Sequence, residues 1–234
     1  KETTRVLGLK DGPEASGDPS PVTAEGVYRS TLAVARRLFK QDDLTGLTIA
    51  VQGVGHVGGY LADKLAGAGA KLVMTDVNAA VLAEVAARTG AEVVAPDAIY
   101  DVKADIYAPC ALGATLNPQT LGRISAKAVV GAANNQLATP EIGRVLFERG
   151  VLYAPDYVVN GGGIINVAAE MNARQTRGAF DPNWVEMKLA RLIETFEEIL
   201  DRSVAEGRPT HEIADAIAEA RIAAAGAEKL RKAA

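Results

Sequence analysis

The residues best suited to chemistry in this sequence are a group of glycines and one acid downstream of them. Gly53, Gly55 and Gly58 fit the pattern Gly-x-Gly-x-x-Gly, and Asp76 follows about 20 residues later. The start of a helix binds phosphate through its free N–H groups, and a carboxylate after the next strand binds ribose hydroxyls. The spacing therefore indicates a dinucleotide site, with the pyrophosphate at the glycines and the adenosine ribose at Asp76.

Each glycine has a physical role in such a site. Gly53 permits the tight turn from strand to helix, Gly55 lets a pyrophosphate approach the backbone, and Gly58 lets the helix pack closely on the strand. The alternative is a glycine turn in an α/β core that binds nothing. The strand, helix and acid around the glycines favour the dinucleotide site. The predicted cofactor contacts in this segment are Gly53, Val54, Gly55, His56, Val57, Gly58 and Gly59.

The acid also predicts which dinucleotide binds. A carboxylate at Asp76 would repel the additional 2′-phosphate of NADP, and the following residues, from Val77 to Val81, include no Arg or Lys to receive it. Asp76 and Val77 are therefore predicted to contact the adenosine half of NAD.

Composition excludes several other classes of protein. The net charge is -4 and there is no basic run, so nucleic acid is not an expected partner. The apolar stretches are too short to span a membrane, and no signal peptide opens the sequence. The single cysteine, Cys110, fits a reducing cytoplasm. Because the sequence starts at Lys1 and its first 20 residues are polar, we expect it to be part of a longer polypeptide.

Other polar residues do not suggest a catalytic group. Cys110 has no basic neighbour in sequence to lower its pKa, so a small packed residue is expected rather than a nucleophile. His56 is expected on the loop surface and His211 in solvent, and two such histidines make no metal site. Glu170 and Glu194 are expected on polar helix faces.

The elements that position these residues alternate between short apolar strands and amphipathic helices. This alternation predicts an α/β fold, a Rossmann-type doubly wound parallel sheet with flanking N- and C-terminal helices. Thr23 is expected to cap the first helix. Three parts are predicted: a polar lead (1–22), an NAD-binding domain (23–180) and C-terminal helices (181–234). Strands are predicted at 47–52, 71–75, 91–94, 105–108, 128–132 and 151–154.

Three further segments, at 108–113, 131–136 and 153–163, follow the glycine motif in a fixed order. Together the four motifs closely resemble the amino acid dehydrogenases that act on Glu, Leu, Phe and Val, the leucine dehydrogenases most of all. The resemblance runs from about Thr3 to Arg221. It implies oxidative deamination of an L-amino acid to its 2-oxo acid, with hydride transfer to NAD in a cleft between two domains.

The resemblance also implies roles for particular residues. Asn134 matches a residue between the nicotinamide ribose and the substrate, Asn160 one that bonds the nicotinamide region, and Thr23 one that bonds the carboxamide. The alternative for these three is ordinary capping or turn formation. Positions matching those that line the cofactor are Ala111, Leu112, Ala132 and Ala133.

Ile164 and Val167 resemble the apolar wall that receives the substrate side chain. An aliphatic wall disfavours a buried carboxylate, which favours Leu, Val or Ile over Glu as the substrate. The alternative is that both are plain core residues.

The family's general base is a lysine in a glycine-rich segment of the N-terminal domain, assisted by an aspartate. No lysine of this sequence matches that segment, so no catalytic residue is predicted here, and we expect the chain alone to bind NAD without turnover. Its expected partners are NAD(H), an amino acid or 2-oxo acid, a separate catalytic domain or subunit, and further copies in a homo-oligomer. The alternatives are the cofactor domain of a glutamate-type dehydrogenase and a non-catalytic dinucleotide-binding module.

Overall fold

A computed structural model describes residues 6–233, with side chains placed for residues 6–227. Within residues 6–233, six strands form one sheet in the order β3-β2-β1-β4-β5-β6, and every neighbouring pair is parallel. The predicted doubly wound α/β fold is confirmed. The strands are β1 (Thr48–Gln52), β2 (Lys71–Thr75), β3 (Glu92–Val93), β4 (Ile106–Pro109), β5 (Ala128–Val129) and β6 (Leu152–Tyr153).

Helices cover both faces of the sheet and continue after the last strand. A five-residue π-helical turn (Ala35–Phe39) extends the first of them, and a 3-10 helix (Pro96–Asp101) lies between β3 and β4. The α-helices are α1 (Ser20–Val34), α2 (His56–Gly67), α3 (Ala79–Thr89), α4 (Pro118–Leu121), α5 (Pro140–Glu148), α6 (Asp156–Val159), α7 (Gly162–Thr176), α8 (Pro182–Glu206) and α9 (Thr210–Ala233). None of the helices within residues 6–233 is long and apolar enough to cross a membrane.

Alternate residues of the central strands enter two different cores. Ile49 and Val51 pack into the core beneath α1 and α2, whereas Ala50 between them packs into the core on the other face, with Tyr107. Successive side chains of a strand point to opposite faces, so both faces of this sheet are buried. This explains why the strands are continuous apolar runs in the sequence.

The register of the central strands brings the motif residues to one edge. Gln52 of β1 pairs with Thr75 of β2, so Gly53 and Asp76 both follow at the carboxyl ends of neighbouring strands. β1 also pairs with β4, and the strand order reverses between these two. Ligands of open α/β sheets bind at the carboxyl edge beside such a reversal.

The first helix begins earlier than predicted. It starts at Ser20, after the N-cap Pro19, and Thr23 is its fourth residue. The Thr23 hydroxyl donates to the Pro19 carbonyl at 3.0 Å, so the prediction that Thr23 caps the helix is wrong. Pro21 lies in the first turn of α1. Backbone N–H groups in a first turn have no partner within the helix, so proline costs no hydrogen bond there. The proposed boundary at residue 22 therefore falls inside α1, and residues 1–5 of the lead lie outside the described residues.

Candidate cofactor site

Gly53 makes the turn between β1 and α2. Its φ is +93°, and a Cβ there would lie 2.6 Å from the Cβ of Ala111 after β4. Both the left-handed backbone and the close approach exclude a larger residue. The turn therefore brings the start of α2 against the end of β4, as the glycine motif predicts.

Gly58 and Gly55 differ in what surrounds them. A Cβ at Gly58 would lie 2.1 Å from the Gly53 carbonyl oxygen, so this glycine is needed for α2 to pack on the turn. At Gly55 a Cβ would meet no atom within 4 Å. Gly55 is the N-cap of α2 and no side chain caps this helix. The open backbone and uncapped helix start fit a pyrophosphate.

The other residues of the glycine segment divide between core and surface. The Val54 side chain is fully buried and Val57 packs against the same core, so the side chains of both face away from the turn. His56 is exposed, as expected, but it is the first residue of α2 and not part of the loop. Gly59 lies against the Val54 carbonyl oxygen. Any contact of Val54 with a cofactor would thus be through its backbone.

Asp76 lies beside the glycine turn. One carboxylate oxygen accepts the Val54 N–H at 2.7 Å and the other accepts the Asn78 N–H at 2.8 Å. Each oxygen keeps a second lone pair for a ribose hydroxyl. Val77 is 92 % exposed beside it. The Asp76 carboxylate, which would bind the adenosine ribose, is thus hydrogen-bonded to the glycine turn, which would bind the pyrophosphate.

Asn134 and Asn160 meet at the carboxyl edge on the other side of the reversal. The Asn160 amide Nδ2 donates to Asn134 Oδ1 at 2.7 Å and to the Ala132 carbonyl at 3.2 Å. Asn134 is exposed, whereas Ala133 is buried and donates its N–H to the Pro109 carbonyl. The structure brings together residues that are 26 positions apart in sequence.

Thr23, Ala111 and Leu112 are also at this edge. Ala111 and Leu112 follow β4 and both are exposed, Leu112 by 76 %. Thr23 is half-buried against the start of α7, where a Cβ on Gly163 would lie 2.6 Å from its Oγ1. Thr23 therefore packs at a helix junction, and its hydroxyl retains lone pairs for a ligand.

Ile164 and Val167 lie in the first two turns of α7, directly after Asn160. Ile164 is 73 % exposed and Val167 is half-buried, so Ile164 is not a core residue. Residues three apart share a helix face. The pair forms a small aliphatic surface that follows Asn160 closely in the sequence.

Comparisons with known proteins identify the family to which this chain is related. The sequence model of the Glutamate/Leucine/Phenylalanine/Valine dehydrogenase family matches residues 75–229. The chain belongs to this family. Leucine dehydrogenase of Bacillus cereus is 43% identical over 223 residues, which are 95% of this chain and 59% of that protein. Valine dehydrogenase of Streptomyces albus is 41% identical over 92% of this chain and 58% of its own length.

Two solved structures that resemble this chain are also amino acid dehydrogenases. L-tryptophan dehydrogenase from Nostoc punctiforme superposes with a TM-score of 0.82 and 36% identity, over 88% of this chain and 60% of that chain. The hetero-hexameric glutamate dehydrogenase from Thermus thermophilus, at 23% identity and a TM-score of 0.70, shares the fold. The chain thus spans about 59% of the length of the leucine dehydrogenase that it matches. Membership of the family implies a nicotinamide cofactor.

Cys110 is suited to packing rather than to nucleophilic chemistry. Desolvation raises the pKa of its thiol to about 12. Its Cβ lies 3.3 Å from where a Cβ on Gly58 would be. A thiol with so high a pKa is protonated at neutral pH and is a poor nucleophile.

Two predictions about polar residues are wrong. Glu170 is fully buried, and its carboxylate accepts hydrogen bonds from residues of the N-terminal segment. His211 is 7 % exposed and packs against Gly143, and burial lowers its pKa. Both residues face segments that are distant in sequence, which helix periodicity alone does not show. Glu194 is exposed, as expected.

Sequence reasoning also missed two buried polar residues below the asparagines, Gln136 and Asp156. They are 0 % and 6 % exposed. A signal was available for Asp156, since a carboxylate directly after a predicted strand lies at the carboxyl edge of the sheet. No comparable signal marks Gln136, because its partners are backbone carbonyls.

Two clefts of the structure differ in their relation to the site. One of about 750 Å³ borders the glycine turn, between the first turns of α2 and the face of α3 that carries Glu84 and Arg88. A smaller, mostly apolar cavity of about 250 Å³ lies against α5 and α8 and contains none of the predicted site residues. The first cleft adjoins the start of α2 at Gly55, where the proposed site lies.

Proposed function

We propose that this chain is the NAD-binding part of an enzyme that oxidatively deaminates an L-amino acid to its 2-oxo acid. The observation that carries this proposal is the junction of Asp76 with the glycine turn. A carboxylate bonded to the Val54 N–H lies beside an uncapped helix start with open space at Gly55. The acid favours NAD over NADP, because it would repel a 2′-phosphate.

In this proposal the residues of the chain bind and orient the cofactor. The first turn of α2 binds the pyrophosphate and Asp76 accepts the ribose hydroxyls. Ala111, Leu112, Ala132 and Ala133 line the cofactor, and Thr23, Asn134 and Asn160 hold its nicotinamide end. The nicotinamide, when bound, supplies the hydride acceptor. Holding it in one orientation fixes the geometry of hydride transfer.

The proposed substrate is a branched-chain amino acid such as leucine. The aliphatic pair Ile164 and Val167 supports this, because an unpaired carboxylate of glutamate would be costly beside it. The relatives named leucine and valine dehydrogenase support the same choice. Asn134 would contact both cofactor and substrate. Comparing leucine with glutamate as substrates of the whole enzyme would distinguish this reaction from that of a glutamate-type enzyme.

The base that deprotonates the substrate is proposed to lie outside this chain, in a catalytic domain or subunit. We therefore expect the chain alone to bind NADH without deaminating leucine. Assembly of the whole protein into a homo-oligomer remains a prediction from the family resemblance.

The first experiment is a calorimetric titration of the purified chain with NADH, and with NADPH as the control. We expect NADH to bind more tightly than NADPH. Binding of neither would contradict the cofactor assignment, and tighter NADPH binding would contradict the role of Asp76. Leucine-dependent NADH formation by the pure chain would contradict the placement of the base.

Replacing Asp76 with serine tests the ribose contact. We expect NADH affinity to fall about 10- to 100-fold, which corresponds to about 1–3 kcal/mol for lost hydrogen bonds to a charged group. The preference over NADPH should narrow, because the repelling charge is gone. Asp42→Ser, an exposed acid in the loop before β1, is the matched control and should leave both affinities unchanged. An unaltered NADH/NADPH ratio in Asp76→Ser would count against the assignment.

A further inference from the structure

Beneath the exposed Asn134 and the half-buried Asn160 lie two buried polar side chains that the proposed cofactor contacts do not use. Gln136 follows β5 by seven residues and Asp156 begins α6 after β6. Both are almost inaccessible to solvent. A buried polar group is costly unless it is hydrogen-bonded, so the partners of these two side chains define what they do.

The Asp156 carboxylate joins the two turns that carry the asparagines. Its Oδ2 accepts the Gln136 N–H at 3.1 Å, and its Oδ1 accepts the Tyr157 N–H at 2.9 Å. The Tyr153 hydroxyl also donates to Oδ1, at 3.3 Å. Two backbone N–H groups from different turns therefore depend on opposite oxygens of a single carboxylate.

The Gln136 side chain closes the turn that carries Asn134. Its amide Nε2 donates to the Gly131 carbonyl at 2.9 Å and to the Ala133 carbonyl at 3.0 Å. The carbonyl of Gln136 in turn accepts the Leu116 N–H at 3.0 Å. The turn is thus fixed from inside, and its position relative to α6 is set through the bond to Asp156.

The Asn134–Asn160 bond lies above this buried connection. The 2.7 Å bond between the two side chains forms when the turn and α6 are held at the right separation. Asn134 is exposed, so its own contacts cannot hold it against solvent competition. The buried Asp156 carboxylate connects the turn that carries Asn134 with α6, which precedes Asn160.

We propose that Asp156 is a positioning residue for the nicotinamide end of the cofactor. It acts through Gln136 and the backbone of α6, which place Asn134 and Asn160 for the nicotinamide ribose. This inference rests on the proposed NAD-binding function. It assigns Asp156 no contact with the substrate or the cofactor.

The test uses two ligands that share the adenosine and pyrophosphate but differ at the other end. NADH carries the nicotinamide and its ribose, whereas ADP carries neither. Asp156→Asn keeps the shape of the side chain, but its amide turns an NH₂ group toward one of the two backbone N–H groups. We expect NADH affinity to fall about tenfold and ADP affinity to stay within about twofold, measured by calorimetry on the intact chain.

A matched control removes hydrogen bonds between α6 and α9 instead of those of Asp156. The Tyr157 hydroxyl donates to Asp215 at 2.6 Å and to the His211 carbonyl at 3.2 Å, on α9. Tyr157→Phe removes both bonds and keeps those of Asp156. We expect it to leave both affinities within about twofold. A loss selective for NADH in this control would overturn the specific role of Asp156, because loosening α6 in general would then suffice.

The outcomes separate this inference from the proposed function. Failure of the unmodified chain to bind either ligand would contradict NAD binding itself. Equal losses for both ligands in Asp156→Asn, or no loss for either, would overturn the positioning role alone. If Asp156→Asn does not fold, Gln136→Met decides, since it removes the two side-chain bonds that close the turn. It should show the same selective loss of NADH affinity, and equal effects on both ligands would overturn the proposal.

Discussion

Replacing Gly58 with alanine is expected to lower NADH affinity by at least about 100-fold and the free energy of unfolding by about 3 kcal/mol. A Cβ at this position would lie 2.1 Å from the Gly53 carbonyl oxygen and 3.0 Å from the Gly53 carbonyl carbon. These are backbone atoms, so no side-chain rotation relieves the contact. The start of α2 must move off the turn, and the proposed pyrophosphate site moves with it. Calorimetry with NADH and urea unfolding measure the two effects.

Gly67 provides the matched control for this substitution. It ends the same helix, and a Cβ there would meet no atom within 4 Å. Gly67→Ala should leave NADH affinity unchanged and stabilise the chain by about 0.5 kcal/mol, because alanine has less backbone freedom to lose. Wild-type NADH affinity in Gly58→Ala would show that the close packing of α2 does not set the site.

Replacing Glu170 with glutamine is expected to lower the free energy of unfolding by about 2–3 kcal/mol. One carboxylate oxygen accepts the N–H groups of Gly8, Leu9 and Ser16 and the Ser16 hydroxyl, at 2.6–3.1 Å. The other accepts Arg174 Nη2 at 2.5 Å. An amide cannot satisfy this many donors, and it removes the negative charge beside the Arg174 guanidinium. Urea unfolding measures the loss.

The same substitution should release the N-terminal segment and change the pH dependence. Trypsin should cleave after the exposed Lys10 faster in Glu170→Gln, because this part of the segment is bonded to the glutamate at Gly8, Leu9 and Ser16. Desolvation raises the pKa of Glu170, but hydrogen bonds from Ser16, Leu9 and Gly8 outweigh it and hold the pKa below its ordinary 4.5.

The sign of the pH effect follows from this lowered pKa. The folded chain keeps Glu170 ionised to lower pH than the unfolded chain does, so the stabilisation is present above pH 4.5 and is lost as the pH falls through the folded pKa. Glu170→Gln should therefore lose less stability on acidification below pH 4.5. Glu194→Gln, on an exposed position of α8, is the control and should change stability by less than about 0.5 kcal/mol. Equal stability of both variants would contradict the anchoring role of Glu170.

Local patterns were sufficient for much of the fold. Alternation of strands and helices predicts the doubly wound parallel sheet. Each buried strand is a short apolar run, and each helix shows apolar residues at helical spacing. The carboxyl edge follows from the glycine turn, since Gly53 directly follows β1 and Asp76 directly follows β2. Boundaries were less accurate. The π-helical turn at the end of α1 and the short β3, β5 and β6 depend on pairing and packing that a single segment does not encode.

The sequence by itself determined the glycine turn, the acid that accompanies it and the fold class, because all three rest on spacing within one βαβ unit. The tertiary structure alone decided that Glu170 and His211 are buried and that Asn134 and Asn160 share a hydrogen bond. It also placed Asp156 between the two turns that carry those asparagines. The physical reason is that a buried polar side chain is satisfied by whichever group the fold brings near it. The partners that only the fold could supply lie 20 residues from Asp156 and 154 to 162 residues from Glu170.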